Sequence, residues 1–106
     1  MEMRKAKVYA KGVEAGILTE LKPGKEYVFE YFEGYDGLEI SRTMPTREKV
    51  YKFDSFPPFF DGLLPEGIQL DGLLKIKKID KYDYFSQLIA VGEDLVGVVT
   101  VKEVIE

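Results

Sequence analysis

Cysteine, histidine and tryptophan are absent from this chain of 106 residues. Without cysteine there is no disulfide, no thiolate nucleophile and no cysteine-ligated metal. Without histidine the chain lacks the commonest general base, the commonest zinc ligand and the side chain that titrates near neutral pH. A serine–histidine triad is therefore excluded, although the chain has three serines and four threonines. The functions that remain are mostly binding functions.

Long apolar runs are missing as well. No window reaches the roughly 18 apolar residues of a membrane span, and no signal-peptide apolar region follows the opening residues MEMRKAK. We therefore expect a cytoplasmic protein that is not attached to a membrane. A content of 45% hydrophobic and 32% charged residues is typical of a folded chain, and the length predicts a single domain over residues 1–106.

The net charge of −4 is divided unevenly along the chain. Residues 1–53 carry a net charge of +1 and residues 54–106 carry −5. The overall acidity argues against nucleic acid as a direct partner, even though the many aromatic side chains could stack on bases. The acidic second half is either a solvated face or a face that meets a basic partner.

Strand periodicity dominates the first half of the chain. Residues 5–11 alternate strictly between apolar and other side chains, and residues 15–19 can return antiparallel to them with Ile17 facing inward. Residues 26–32 carry apolar side chains on both faces, which predicts a strand that is covered on both sides. Further strands are predicted at residues 38–41, 50–53 and 95–104, the last of them central in the sheet.

Helical spacing replaces strand spacing in the second half. Pro58 can begin one or two helical turns, and residues 68–77 fit a longer helix. Asp80 or Asp83 can cap the next helix, which should end at Gly92 with a positive φ. Because the helices precede the last strand rather than alternate with strands, the fold class is α+β. We expect a curled, barrel-like antiparallel sheet with two main helices inserted before the last strand.

Catalytic and metal-binding motifs are not found. The carboxylates fit no familiar metal-binding spacing, and helix caps and solvated faces explain them. The paired glycines of residues 12–16 and 34–37 are typical of hairpins rather than of phosphate-binding loops. We expect no catalytic residue, no cofactor and no metal. A small hydrolase that uses paired Asp and Glu side chains stays as an alternative without a supporting motif.

The most informative stretch is FPPFFDGLLPEG, residues 56–67. Its aromatic residues and prolines either plug the open end of the sheet or form, in part, an exposed anchor. Adjacent side chains diverge, so one of the three phenylalanines should be substantially exposed beside acidic residues, with Leu63 and Leu64 in the core. The predicted partner-binding residues are Phe56, Pro57, Pro58, Phe59, Phe60, Asp61 and Glu66.

Residues 59–66 resemble the F-F-x-x-L-L-P-E/D segment in the N-terminal domain of HipA-type toxin kinases. The similarity continues in the helix of residues 83–92, in the V-G-A-V-x-L-like segment of residues 94–101 and in the opening hairpin of residues 8–18. It covers almost the whole chain. The sequence departs from the family where IQLD, residues 68–71, replaces basic residues, and where the hairpin has Lys11 instead of asparagine.

The resemblance implies a stand-alone, HipS-like member of a bacterial toxin–antitoxin system. Most family members continue into a kinase domain, whose loops this sequence does not contain. A small protein of this kind binds the truncated kinase in trans. The resemblance thus implies a non-catalytic antitoxin that binds and neutralises a HipA/HipT-like Ser/Thr kinase, with a HipB-like helix-turn-helix protein in the same complex. The alternative is a structural accessory subunit that completes or stabilises a split kinase.

Overall fold

The computed structural model describes residues 3–95 and 97–105, and within them five strands form one antiparallel sheet in the order β4-β3-β2-β1-β5. The α+β class is confirmed. The strands are β1 (Arg4–Ala10), β2 (Val13–Lys22), β3 (Glu26–Tyr31), β4 (Val50–Phe53) and β5 (Val99–Glu103). The helices are α1 (Pro58–Asp61), α2 (Gly67–Lys77) and α3 (Tyr84–Val91), and a 3-10 turn follows at Gly92–Asp94. Four residues of the predicted domain, Met1, Glu2, Val96 and Glu106, lie outside the described residues.

The sheet is open, with β4 and β5 at its two edges. It is neither closed nor strongly curled, so the barrel-like part of the prediction is not confirmed. The prediction of a central last strand is wrong, since β5 pairs with β1 alone within the described residues. The apolar residues Leu95 and Val98, which suggested a central strand, lie in the turn before β5 instead.

The β1–β2 hairpin contains a bulge that changes which side chains face the core. The alternation in β1 is confirmed, because Ala6, Val8 and Ala10 are all buried. Val8 pairs with Gly16 whereas Tyr9 pairs with Glu14, so Ala15 is an extra residue in β2. One extra residue reverses the parity of the strand beyond it. The inward assignment of Ile17 is therefore wrong, and Leu18 is the fully buried residue.

The core lies on one face of the sheet only. In β3, Tyr27, Phe29 and Tyr31 are buried on the inner face, while Val28 is half-buried and Glu30 is exposed. The prediction of a strand covered on both sides is thus wrong, as expected for an antiparallel sheet with one solvated face. Helices α1 and α3 close the inner face with Phe60, Phe85 and Leu88.

The connection from β3 to β4, residues 32–49, contains no strand, so the strand predicted at residues 38–41 is wrong. One isolated bridge joins Ser41 to Met44. The loop is held instead by tyrosine hydroxyls, because Tyr31 donates a hydrogen bond to the Met44 carbonyl oxygen and accepts one from the Ile40 amide at 3.1 Å. Ile40 and Met44 are buried and anchor the loop to the core.

The predicted helices are present, but they differ in how they pack. Asp83 caps α3 by accepting a hydrogen bond from the Ser86 amide at 3.1 Å. Gly92 was expected to have a positive φ and instead has φ −55°. It lies where a Cβ would come within 2.3 Å of the Val101 carbonyl oxygen, so close packing requires the glycine.

Helix α2 differs from α1 and α3 because it contributes no buried residue. None of the helices that the structure describes has the length and hydropathy of a membrane span.

Candidate partner-binding surface

Two of the three phenylalanines in the predicted partner-binding segment belong to the core. Phe56 is 8% exposed and packs against Tyr27, with ring centroids 5.4 Å apart, and against Tyr84 at 5.8 Å. Phe60 is fully buried, and its ring centroid lies 6.1 Å from that of Phe29. These two rings therefore pack against the inner face of the open sheet, which has no barrel end for them to plug.

The third phenylalanine, Phe59, is half-buried at the edge of the core. None of the three rings is largely exposed, so the expectation of a substantially exposed phenylalanine is wrong. The short helix α1 explains the result, because consecutive helical residues point about 100° apart. Phe60 therefore points inward, and Phe59 lies beside it with ring centroids 5.2 Å apart. Pro57 is buried, whereas Pro58 is exposed at the start of α1.

Acidic residues precede and follow Phe59 in the sequence. Asp54, Asp61 and Glu66 are all exposed. Leu63 and Leu64, which were expected in the core, are half-buried and pack against its margin. Of the predicted partner-binding residues, the structure thus leaves Pro58, Phe59, Asp61 and Glu66 accessible and places Phe56, Pro57 and Phe60 beneath them.

One accessible residue of this region was missed by sequence reasoning. Ile68 follows Glu66 closely and is 89% exposed. It was assigned only to the apolar positions of the helix now seen as α2. A signal was available in the sequence, because the apolar residues of this helix lie on more than one side. A helix at the surface can cover only one of these sides.

A polar cluster lies elsewhere, where β1 meets the start of α3. The Arg4 guanidinium donates to Glu20 Oε1 at 2.7 Å, to Asp83 Oδ1 at 3.0 Å and to Ser86 Oγ at 2.9 Å. Glu20 is buried and also accepts a hydrogen bond from the Tyr27 hydroxyl at 2.8 Å. The polar groups of this cluster therefore serve as hydrogen-bond partners for one another.

The same contacts determine the pKa values in this cluster. Burial alone would raise the pKa of Asp83, but hydrogen bonds from Arg4 and Ser86 outweigh it, and the pKa lies below its usual value. Burial raises the pKa of Tyr27 to about 12. Both groups thus stay in their ordinary ionisation states at neutral pH, which is typical of a structural cluster rather than of an acid–base pair.

A cleft of about 750 Å³ opens between the β2–β3 turn and the start of α3, with Arg4, Tyr27 and Tyr82 in its wall. In residues 3–95 and 97–105 no three acidic side chains are placed to hold a metal ion. Every buried side-chain nitrogen and oxygen in these ranges has a hydrogen-bond partner.

Comparison with known proteins agrees with the family suggested by the motifs. A family profile described as the HipA N-terminal domain matches residues 6–102. A Haemophilus influenzae protein described as uncharacterized is 31% identical over 101 residues, which are 95% of this chain and 93% of that protein. A solved structure described as the N-terminal domain of HipA toxin is 29% identical with a TM-score of 0.78, and the match covers 100% of this chain and 97% of that chain.

Proposed function

Because the chain belongs to the HipA N-terminal domain family, we propose that it binds a HipA/HipT-like Ser/Thr kinase in trans and neutralises it. Membership of this family links the chain to HipA toxin–antitoxin systems. The observation that carries the proposal is that the match to this domain spans residues 6–102, nearly the whole chain. The match thus covers the N-terminal domain of the family. A role as a binding protein also agrees with the absence of histidine and cysteine.

The relative from Haemophilus influenzae supports a role for this domain as a separate chain. The match covers 93% of that protein, so the domain makes up nearly all of it. Such a chain could meet a kinase only as a partner in trans. The buried core, with both aromatic and aliphatic side chains in contact, is compatible with a unit that folds before it binds.

The contact surface that we propose consists of Pro58, Phe59, Asp61 and Glu66, extended by Ile68. Phe59 and Ile68 supply apolar area, and the two carboxylates supply an acidic rim. An apolar centre with a charged rim is the usual composition of a protein–protein contact. The acidic rim suits a basic partner surface, such as the nucleotide-binding cleft of a kinase.

The sequence departs from the family at residues 68–71, where IQLD stands in place of basic residues. A contact that the family makes through those basic residues is therefore not expected here. The exposed Asp71 instead adds a negative charge to the first half of α2.

The test is co-expression of the kinase encoded next to this gene, with and without this chain. We expect the chain to restore growth. Phe59→Ala and Ile68→Ala should each weaken kinase binding about tenfold, since roughly 1–2 kcal/mol of apolar burial is lost. Calorimetric titration measures the affinity. Leu38→Ala is the matched control, because Leu38 is 51% exposed in the loop of residues 32–49, and it should bind normally.

Melting curves separate a binding defect from a folding defect. Ile68→Ala removes a side chain with few contacts, so its melting temperature should not change. Equal toxicity of the kinase with and without the chain would contradict the antitoxin role. A kinase that becomes more soluble and more active with the chain would identify a structural accessory subunit instead.

A further inference from the structure

Helix α2 has the composition of a buried helix but is not buried. Leu70 and Leu74 lie on one side, towards the rest of the domain, and both are half-buried. Ile68 and Ile76 lie on the opposite side. A helix that is apolar on opposite sides is normally covered on both. Here none of its residues is buried, so one apolar side has no partner within the part of the chain that the structure describes.

The uncovered face is formed by Ile68, Gly72 and Ile76. Residues four apart follow one another along the same face of a helix. Ile68 is 89% exposed and Ile76 is 79% exposed, and a Cβ added to Gly72 would meet no atom within 4 Å. A glycine inside a helix costs about 0.5–1 kcal/mol relative to alanine. No packing within the domain requires this glycine, but it would let a second helix approach the backbone closely.

We propose that this face binds the same face of a second copy of the chain. Ile68 and Ile76 are placed symmetrically, four residues before and four residues after Gly72. A two-fold axis at Gly72 would align the two helices antiparallel, so that Ile68 of each copy meets Ile76 of the other. Self-complementarity of this kind is what a two-fold symmetric interface requires.

Charge complementarity favours the same antiparallel arrangement. Asp71 and Lys75 are exposed and flank this face, because each lies three residues after one of its members, Ile68 and Gly72. Neither of these two residues forms an ion pair with another residue of the described ranges. An antiparallel second copy brings Asp71 of one helix close to Lys75 of the other, and it also opposes the two helix dipoles.

The dimer is expected to be weak and reversible. Two helices of 11 residues each present less surface than the roughly 1,600 Å² of a standard stable interface. The contact would also cover Ile68, which belongs to the kinase surface under the proposed function. On that basis self-association and kinase binding would exclude one another, although the dimer itself can be tested without a kinase.

The test is sedimentation equilibrium of the purified chain from about 10 µM to about 1 mM, the range in which weak contacts are measured. We expect the weight-average mass to rise from 12.1 kDa towards twice that value. Ile76→Lys should keep the mass at that of the monomer with an unchanged melting temperature. Leu38→Lys is the matched control, since it introduces the same charge at an exposed apolar residue outside α2, and it should still dimerise.

Three results would overturn the proposal. The first is a wild-type chain that stays monomeric throughout the concentration range. If Ile76→Lys then also loses kinase binding, the partner of this helix face is the kinase rather than a second copy. The second is equal self-association of the wild-type chain and Ile76→Lys, which places the contact elsewhere. The third is growth beyond two copies, which excludes a closed two-fold pair.

Discussion

Glycine 92 shows how a single residue fixes the junction between α3 and β5. A Cβ added at Gly92 would lie 2.3 Å from the carbonyl oxygen of Val101, and this backbone atom cannot move away as a side chain can. Gly92→Ala should therefore destabilise the protein by about 1–3 kcal/mol, as overpacking does. Urea denaturation followed by circular dichroism measures the change in the free energy of unfolding.

Gly72→Ala is the matched control for this prediction. Gly72 lies inside α2 with open space around its Cα, so alanine there should stabilise the protein by about 0.5–1 kcal/mol through helix propensity. Changes of the same sign and size at both positions would show that the contact with Val101 does not matter.

The sequence marked Gly92 as special but suggested the wrong cause. A glycine after an apolar helix usually means a positive φ, and here φ is −55°. The real cause is a strand that pairs with β1, at the other end of the sequence. Such a contact depends on tertiary structure, which local spacing does not specify.

At the scale of elements, the loop of residues 32–49 depends on one hydroxyl group. The Tyr31 hydroxyl satisfies both the Met44 carbonyl oxygen and the Ile40 amide in a buried site. Tyr31→Phe keeps the ring but leaves two buried backbone groups unpaired, at a cost of about 1–3 kcal/mol. We expect lower stability in urea and faster amide hydrogen exchange within this loop.

Tyr35→Phe separates the buried site from a general effect of losing a hydroxyl. The Tyr35 hydroxyl donates to the Leu38 carbonyl oxygen at an exposed site, where water can replace it. The loss should stay below about 1 kcal/mol. If both variants lose the same stability, the burial of the Tyr31 contacts has no special role.

The elements with clear periodicity were predictable, and the irregular ones were not. Strand β1, the turn at Pro58 and the capped helix after Asp83 follow directly from their residues. The bulge at Ala15 was not predictable from the sequence, because an extra residue does not change the amino-acid composition typical of a strand. In the same way, the strand predicted at residues 38–41 was replaced by a loop because tyrosine side chains, rather than a neighbouring strand, satisfy its backbone.

On the scale of the whole molecule, Arg4 connects the sheet with α3 through its ion pairs with Glu20 and Asp83. The pKa of Asp83 is lowered in the folded state. Its contribution to stability is therefore complete above the unfolded-state pKa of about 4 and is lost as the pH falls through the folded-state pKa. We therefore expect the melting temperature to fall when the pH is lowered below about 4.

Asp83→Asn tests the cause of this acid sensitivity. Asparagine also caps helices well, so the variant loses mainly the charge. At pH 7 it should be less stable than the wild-type protein by about 1 kcal/mol, given the partial exposure of the pair. The difference should shrink as the pH falls below 4. A constant difference at all pH values would contradict the assignment.

The family was predictable because motifs along almost the whole chain carry it. Which side chains of the proposed surface are accessible was not predictable. Phe59 and Phe60 are chemically identical, and the direction of one helical turn decides which of the two rings is fully buried. The exposure of Ile68 likewise depends on how α2 sits on the domain, which its spacing does not determine.

The pairing of β1 with β5 has a consequence for protein synthesis. Ala10 pairs with Val99, so the edge of β1 stays unpaired while the ribosome makes almost all of the intervening chain. During translation the nascent meander of β1–β4 would present this edge to other nascent chains, and such edges are sites of aggregation. The alternating lysines of β1, Lys5 and Lys7, are the kind of residue that discourages strand addition. These lysines on the solvated face of β1 would thus protect the nascent chain from aggregation until β5 has been synthesised.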